Sequence, residues 1–181
     1  MELLVDRVGR MERLLDDLLE YSRAGRPAHG SESVDVRDLV RDISAFFGPP
    51  KGFTIEHSGT SPPLWTPRAP FEQVVRNLVG NSIKHHDRDS GHIVVTTQTI
   101  GGLVSVCVTD DGPGIPTQFQ ERVFRMFQTL RSRDEVEGSG MGLAIVRKTV
   151  EAYGGTVTLR SVGRGTAITF TWPQRTEAGG V

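Results

Sequence analysis

Two apolar runs of strand period, HIVVTTQ at 92–98 and LVSVCVTD at 103–110, are separated by only four residues containing Gly101 and Gly102, and no other feature limits the fold as tightly. A glycine pair between such runs predicts a hairpin turn, so the two strands pair antiparallel. Helix-period segments flank them. After Pro67, FEQVVRNLVGNSIKHH places Phe71, Val74, Val75, Leu78 and Ile83 on one apolar face. MGLAIVRKTVEAY is a second helical segment closed by Gly154-Gly155, and TVTLRS and TAITFTW are two further strands around Gly163-Arg164-Gly165. Upstream, a helix runs from Val34 through VDVRDLVRDISAFF to Gly48, followed by the strand FTIEH. About five strands and three core helices, with strands in runs instead of strict alternation, predict a two-layer α+β sandwich with a mixed sheet and disfavour a doubly wound parallel sheet.

The amino-terminal segment differs in kind. Leu4, Val8, Met11, Leu15 and Leu18 recur in alternating steps of four and three with charged residues between them, the pattern of an amphipathic helix with a dimer seam. An ordinary helix folded onto the rest of the domain is the competing reading. The helix should stop near Gly25-Arg26-Pro27, which divides the chain into residues 1–27, a linker at 28–33, a core domain at 34–173 and a flexible tail at 174–181. A net charge of −1 with 24% charged residues supplies no global positive field for nucleic acid or an anionic membrane. Apolar runs are too short to cross a bilayer. The lone Cys107, inside LVSVCV, reads as a buried small hydrophobe, and a reducing, cytoplasmic setting fits.

Four stretches carry candidate chemistry. In NLVGNSIKHH, Asn77, Asn81 and Lys84 project from one side of a helix, where carboxamide oxygens suit a hard divalent cation and an ammonium suits phosphate; solvated polar residues would look the same. In VTDDGPGIP, Asp110 leaves a strand end just before Gly112 and Gly114; the carboxylate can accept from an exocyclic amine while the glycines let backbone approach a flat ring, or the stretch is a plain acidic turn. ERVFRMFQTLRSRDEVE sets Phe124 and Phe127 among Arg122, Arg125, Arg131 and Arg133, either two core aromatics with solvated arginines or the anchors of a basic lid. GSGMGLA opens a helix with Gly138, Gly140 and Gly142, offering free amides and a positive helix end to phosphate. A dinucleotide loop is disfavoured because the preceding RSRDEVE is no strand, and no Gly-Lys pair exists for a standard phosphate loop.

In this order and spacing the four stretches resemble the sensor histidine kinases, within the superfamily sharing the Bergerat ATP-binding fold. NLVGNSIK resembles the family's asparagine box, DDGPGIP its first glycine box, VFRMF its phenylalanine box and GSGMGLA its second glycine box. Upstream, RMERLLDDLLEYSR and VDVRDLV resemble the second helix of the dimerisation hairpin and its join to the catalytic domain. The stretch FQTLRSRDEVEGSGMGLAIVRK is similar to kinases fused to phytochrome-type photoreceptors.

The resemblance implies ATP or ADP with Mg²⁺ as ligands. It assigns Asn81 to the metal, Asn77 to the same cluster, Lys84 to phosphate oxygens and Asp110 to the adenine amine, with Gly112, Gly114, Ile115 and Thr166 around the base. Phe127, Arg131 and Arg133 would belong to the lid, and Gly138, Ser139, Gly140, Met141, Gly142 and Leu143 to the phosphate loop. Asn77 stands where related ATPases carry a water-activating glutamate, which favours a kinase over a hydrolase. The implied partners are a phosphoacceptor histidine on an upstream helix, a response regulator and a second copy of the chain. No His-Glu or His-Asp followed by proline occurs in these 181 residues, so the acceptor is expected elsewhere. A nucleotide-binding module without turnover, or an anti-sigma-like serine kinase, are the alternatives.

Overall fold

The computed structural model describes residues 2–26, 30–48, 52–60, 62–128 and 139–174. Helix α1 (Glu2–Arg23) is followed by a short strand β1 (Glu32–Val34) and by α2 (Val36–Phe47). The second helix starts two residues later than the apolar pattern suggests, because Asp35 caps it: its Oδ1 accepts from the Arg37 and Asp38 amides at 2.8 and 3.4 Å. Val34 thereby falls into β1, which pairs antiparallel with β3 (Leu64–Thr66) in a two-stranded sheet that three-residue runs did not reveal.

The main sheet contains the five expected strands: β2 (Phe53–Thr60), β4 (Gly91–Ile100), β5 (Leu103–Asp110), β6 (Val157–Arg160) and β7 (Thr166–Pro173). Their order is β2-β4-β5-β7-β6, with only the β2–β4 pair parallel. The β4–β5 hairpin turns at Gly101-Gly102, as its glycines require, with Ile100 opposite Leu103. Helices α3 (Arg68–Lys84) and α5 (Gly142–Ala152) cover one face together with α2, and a short helix α4 (Thr117–Gln120) precedes a 3₁₀ turn at Arg122–Phe124. The third helix ends before His85 and His86, which the sequence pattern had included.

Alternation decides what each strand gives to the core. Val104, Val106 and Val108 of β5 and Ile168, Phe170 and Trp172 of β7 point inward and are buried. Cys107 therefore points the other way: it is half-exposed beside Thr109 on the outer face, and the expectation of a buried thiol is corrected by strand parity. Phe71 meets the rings of Phe170 and Trp172 edge-on at 5.9 and 5.3 Å, and Tyr153 stacks on Trp172 at 4.7 Å. The Trp172 Nε1–H is satisfied by Thr66 Oγ1 at 2.9 Å, which ties the small sheet to the large one.

On the sheet's β2 edge, His57 Nε2 meets Thr97 Oγ1 at 2.8 Å while its Nδ1 is buried without a partner among the described residues. Burial, then the Arg37 charge, lowers its pKa against the opposing effect of Asp35. A folded state that resists protonation loses ground as the unfolded chain takes up its proton, so stability should fall as pH drops below about 6.5 and level off once the lowered folded value is passed. Thermal melts at pH 7.5 and 5.5 are expected to show a smaller acid loss for His57→Gln than for the parent, with a one-proton limit of about 1.4 kcal/mol per pH unit.

The amino-terminal helix packs on the core domain near its carboxyl end, and further upstream Asp17 and Arg13 come close enough to Lys84 of α3 to act on its charge. Tyr21 and Ala24 pack on Met141 and Ile145, Lys148 Nζ donates to the Tyr21 carbonyl at 2.7 Å, and Gln73 Nε2 donates to Glu20 Oε1 at 2.5 Å. Val8, Met11, Leu15 and Leu18 are 54%, 64%, 59% and 46% exposed, so the described residues leave this apolar row uncovered.

Candidate nucleotide site

A cleft of about 740 Å³ opens between α3, the turn after β5 and the start of α5. One wall is the polar side of α3. The apolar positions Val74, Val75, Leu78 and Val79 bury against the sheet, and the 3.6-residue period turns Asn77, Asn81 and Lys84 into the cleft. Opposite stands the amino terminus of α5, whose first turn has no acidic residue and no side-chain cap among the described residues, so that its orphan amides could meet an anion. A Cβ placed on Gly142 would lie 3.4–3.5 Å from the Asn81 carboxamide and 3.7 Å from Asn77 Oδ1. The two carboxamides and the helix amides thus face one another across a gap that a glycine keeps open.

Asp110 occupies the other end of the cleft. Its Oδ1 accepts from the Gly112 amide at 3.0 Å, and Ser82, on α3, donates to Oδ2 at 3.0 Å. Burial pushes this carboxyl above the usual aspartate range, and the hydrogen bonds from Gly112 and Ser82 hold it back. At Lys84 the shielding of the ammonium by the cleft lowers the pKa, assisted by Arg13 and opposed by Asp17 of α1. Thr166, buried, pairs with Asp110 across the β5–β7 ladder.

Of the residues singled out in the sequence, Asn77, Asn81, Lys84, Asp110, Gly114, Ile115, Ser139, Gly140, Gly142, Leu143 and Thr166 all line this cleft. Three do not. Gly112 sits behind it, fastening Asp110. Met141 is fully buried under Tyr21 and Ala24, so it links the glycine loop to α1 instead of lining the ligand space. Phe127 is 42% exposed at φ 61°, whereas Phe124 is buried; of the two aromatics proposed as core, only Phe124 is one. Arg131, Arg133 and Gly138 lie outside the described residues.

Several contributors were not anticipated. Ser82 reads from the sequence as one more helix polar residue, yet its position four after Leu78 and one after Asn81 already placed it on the sheet-facing edge of the cleft wall. His86 has a buried side chain whose Nδ1 accepts from the Arg88 amide at 3.1 Å. That leaves its Nε2–H to donate to Asp111 at 3.1 Å, which makes it a strut between the loop after α3 and the turn after β5. Arg164 grips Asp87 through two bonds of 3.0 and 2.8 Å, holding the Asp87 carboxyl down at about 2, and so joins the same loop to the β6–β7 turn.

Residues 67–176 match the family model for histidine kinase-, DNA gyrase B- and HSP90-like ATPases. The phytochrome-like protein Cph1 of Synechocystis sp. is 33% identical over 177 residues, covering 96% of this chain and 24% of that protein, so the chain spans about a quarter of its relative's length. Full-length ShkA, solved in complex with AMPPNP, superposes with a TM-score of 0.78 at 28% identity over 96% of this chain and 38% of that one. The histidine kinase ThkA, solved with the response regulator TrrA, shares the fold at a TM-score of 0.72 and 24% identity, over 97% of this chain and 51% of its own. Among the described residues no helix is long and apolar enough to cross a membrane. The chain belongs to the histidine kinase-, DNA gyrase B- and HSP90-like ATPase family, and residues 67–176 are an ATP-binding domain of the sensor histidine kinase type.

Proposed function

We propose that this chain is the catalytic part of a two-component kinase, working in the cytoplasm, that moves the γ-phosphate of ATP to a histidine on a helix outside these 181 residues. The observation that carries the reading is the facing of Asn77 and Asn81 against the uncapped start of α5, with Asp110 fixed at the opposite end of the same cleft. Adenine would lie at Asp110, its amine donating to the carboxylate beside Gly114, Ile115 and Thr166, and the phosphates would lie between Lys84, the α5 amides and the two asparagines.

The asparagine oxygens are hard donors on the wall of the cleft, which fits a hydrated Mg²⁺ shared with phosphate. Bound there it would neutralise charge on the β- and γ-phosphate oxygens. Phosphoryl transfer then asks the protein chiefly for position: an imidazole nitrogen forms its bond to the γ-phosphorus as the bond to the ADP oxygen breaks, and ADP departs. Asn77 offers no base to activate water, which keeps hydrolysis from competing. Helix α1 would be the second helix of the dimerisation hairpin, its uncovered row meeting a second copy and the first helix, and a response regulator would take the phosphate onward.

Calorimetric titration of ATP is expected to show one site per chain, tighter with Mg²⁺ than with a chelator present. Asn81→Ala should abolish that difference while retaining metal-free binding. Supplying labelled ATP and a separately expressed hairpin from the parent kinase should put acid-labile phosphate on the hairpin and none on the chain alone. Rapid ATP hydrolysis without the hairpin would point to the ATPase branch, and binding with no transfer under any condition would leave a nucleotide-binding module.

A further inference from the structure

We propose that Ser161, which does not itself line the cleft, is the positioning residue that sets the base-binding turn at the correct distance from Asp110 and so gives the cleft its preference for an adenine nucleotide. This rests on the reading of the cleft as an ATP site.

The pocket for the base has two halves held by different means. Asp110 belongs to the sheet: it is the last residue of β5, paired with Thr166, and its carboxylate is tied to Ser82 on α3. The opposite wall, Pro113 to Pro116, belongs to a turn that has left the sheet and pairs with no strand. Backbone groups in such a turn must find other partners, and here they converge on the loop between β6 and β7. The Ile115 amide donates to Ser161 Oγ at 2.8 Å, and that hydroxyl spends its one hydrogen on the Gly165 carbonyl at 2.7 Å. The Gly165 amide in turn donates to the Gly112 carbonyl at 2.8 Å. Gln120 adds a second brace, its amide nitrogen donating to the Ile115 carbonyl at 2.9 Å and to the Ser161 carbonyl at 2.8 Å.

The ring so formed leaves no slack. Ser161 is 7% exposed, so water is poorly placed to take over from its hydroxyl. Gly114 presses on the same loop: its φ is 79°, and a Cβ there would stand 3.0 Å from Ser161 Oγ and collide with the Gly163 carbonyl. Without the hydroxyl, the part-buried Ile115 amide and the Gly165 carbonyl lose partners together, and the turn is free to move in search of others. That motion shifts the wall of the base pocket against a carboxylate that stays on the sheet. The phosphate end, built by α3 and α5, shares none of these bonds.

The test separates the two ends of the ligand. ADP and inorganic tripolyphosphate are titrated into the parent, Ser161→Ala and Ser161→Thr chains, and amide exchange is followed at Ile115. Ser161→Ala is expected to weaken ADP about tenfold, leave tripolyphosphate within about twofold and speed exchange at Ile115 while Val104 to Val108 stay protected. Ser161→Thr keeps a hydroxyl and should recover most of the ADP affinity. Gln120→Leu, which touches the same turn from the other side, should act in the same direction and serves if Ser161→Ala does not fold. Unchanged ADP affinity despite fast exchange at Ile115, or equal losses for ADP and tripolyphosphate, would overturn the proposal. A parent chain that binds neither ligand would instead remove the nucleotide reading on which it stands.

Discussion

Phe71→Ala is expected to lower the melting temperature by roughly 10–15 °C, among the largest stability changes a single truncation of a described residue should produce. Phe71 is fully buried at the start of α3 and is the point where that helix meets β7, edge-on to both Phe170 and Trp172. Removing a buried phenylalanine ring costs about 3–5 kcal/mol through lost transfer energy and the cavity left behind. Two aromatic contacts, each worth about 0.5–1.5 kcal/mol beyond area burial, place this site toward the upper end. In a chain of this size each kcal/mol corresponds to about 2–4 °C. Because α3 also carries Asn77 and Asn81, the variant should lose nucleotide binding only as it unfolds, with a dissociation constant close to the parent's well below its new midpoint. Calorimetry or circular dichroism melts decide the matter, and a loss under about 1 kcal/mol would mean that neighbouring side chains refill the space.

Asp110→Asn is expected to weaken ATP and ADP by about ten- to a hundredfold while leaving the empty protein at least as stable at pH 7. The binding loss follows from replacing a charged acceptor of the adenine amine by a neutral one, where hydrogen bonds to charged groups contribute about 1.5–3 kcal/mol. The stability half follows from the raised carboxyl pKa. A group that holds its proton more tightly when folded favours the fold most at low pH, and that advantage is lost as pH rises from the unfolded value through the folded one; at pH 7 the ionised, desolvated carboxylate is a net cost. Asparagine removes the cost and keeps the frame, since its oxygen can still accept from Gly112 and Ser82 can turn its hydrogen to the Leu78 carbonyl, 3.2 Å away. Titration together with a melt of the same sample reads both. A variant that binds ATP as well as the parent would remove Asp110 from the base pocket, and one that melts well below it would make the carboxylate a structural element.

The parts of the fold readable in the sequence are those whose periodicity extends over enough residues to be unambiguous. The hairpin at Gly101-Gly102, the apolar face of α3 and the helix behind GSGMGLA all have eight or more residues of consistent pattern. By contrast, β1 and β3 have three residues each, and Val34 looks like the first apolar position of a helix until Asp35 is seen to cap it. Cys107 was readable in principle: Val104, Val106 and Val108 fix the inward parity, and the cysteine stands between two of them. For the cleft, helical spacing was enough to bring Asn77, Asn81 and Lys84 together, since only one element had to be right. Met141 was beyond it, because its burial depends on where Tyr21 and Ala24 arrive from the far end of the chain, 117 to 120 residues earlier. Ser161 escaped for the same reason: its partners Ile115 and Gln120 come from a turn and helix more than forty residues away.

The uncovered row on α1 also sets how this chain behaves in concentrated solution. With a net charge of −1 and an isoelectric point near 6.5, molecules approaching one another in neutral buffer meet almost no Coulombic barrier. Colloidal stability then depends on how few adhesive patches each molecule offers, and a stripe running through Val8, Met11, Leu15 and Leu18 is one such patch. Added salt would do little to separate the molecules, having little repulsion or attraction between charges to screen. Moving the buffer away from the isoelectric point, or placing a charged side chain on the stripe, acts on the term that matters. On the proposed reading the stripe would seat a partner, and where no partner covers it the same stripe is expected to lower the solubility of the chain.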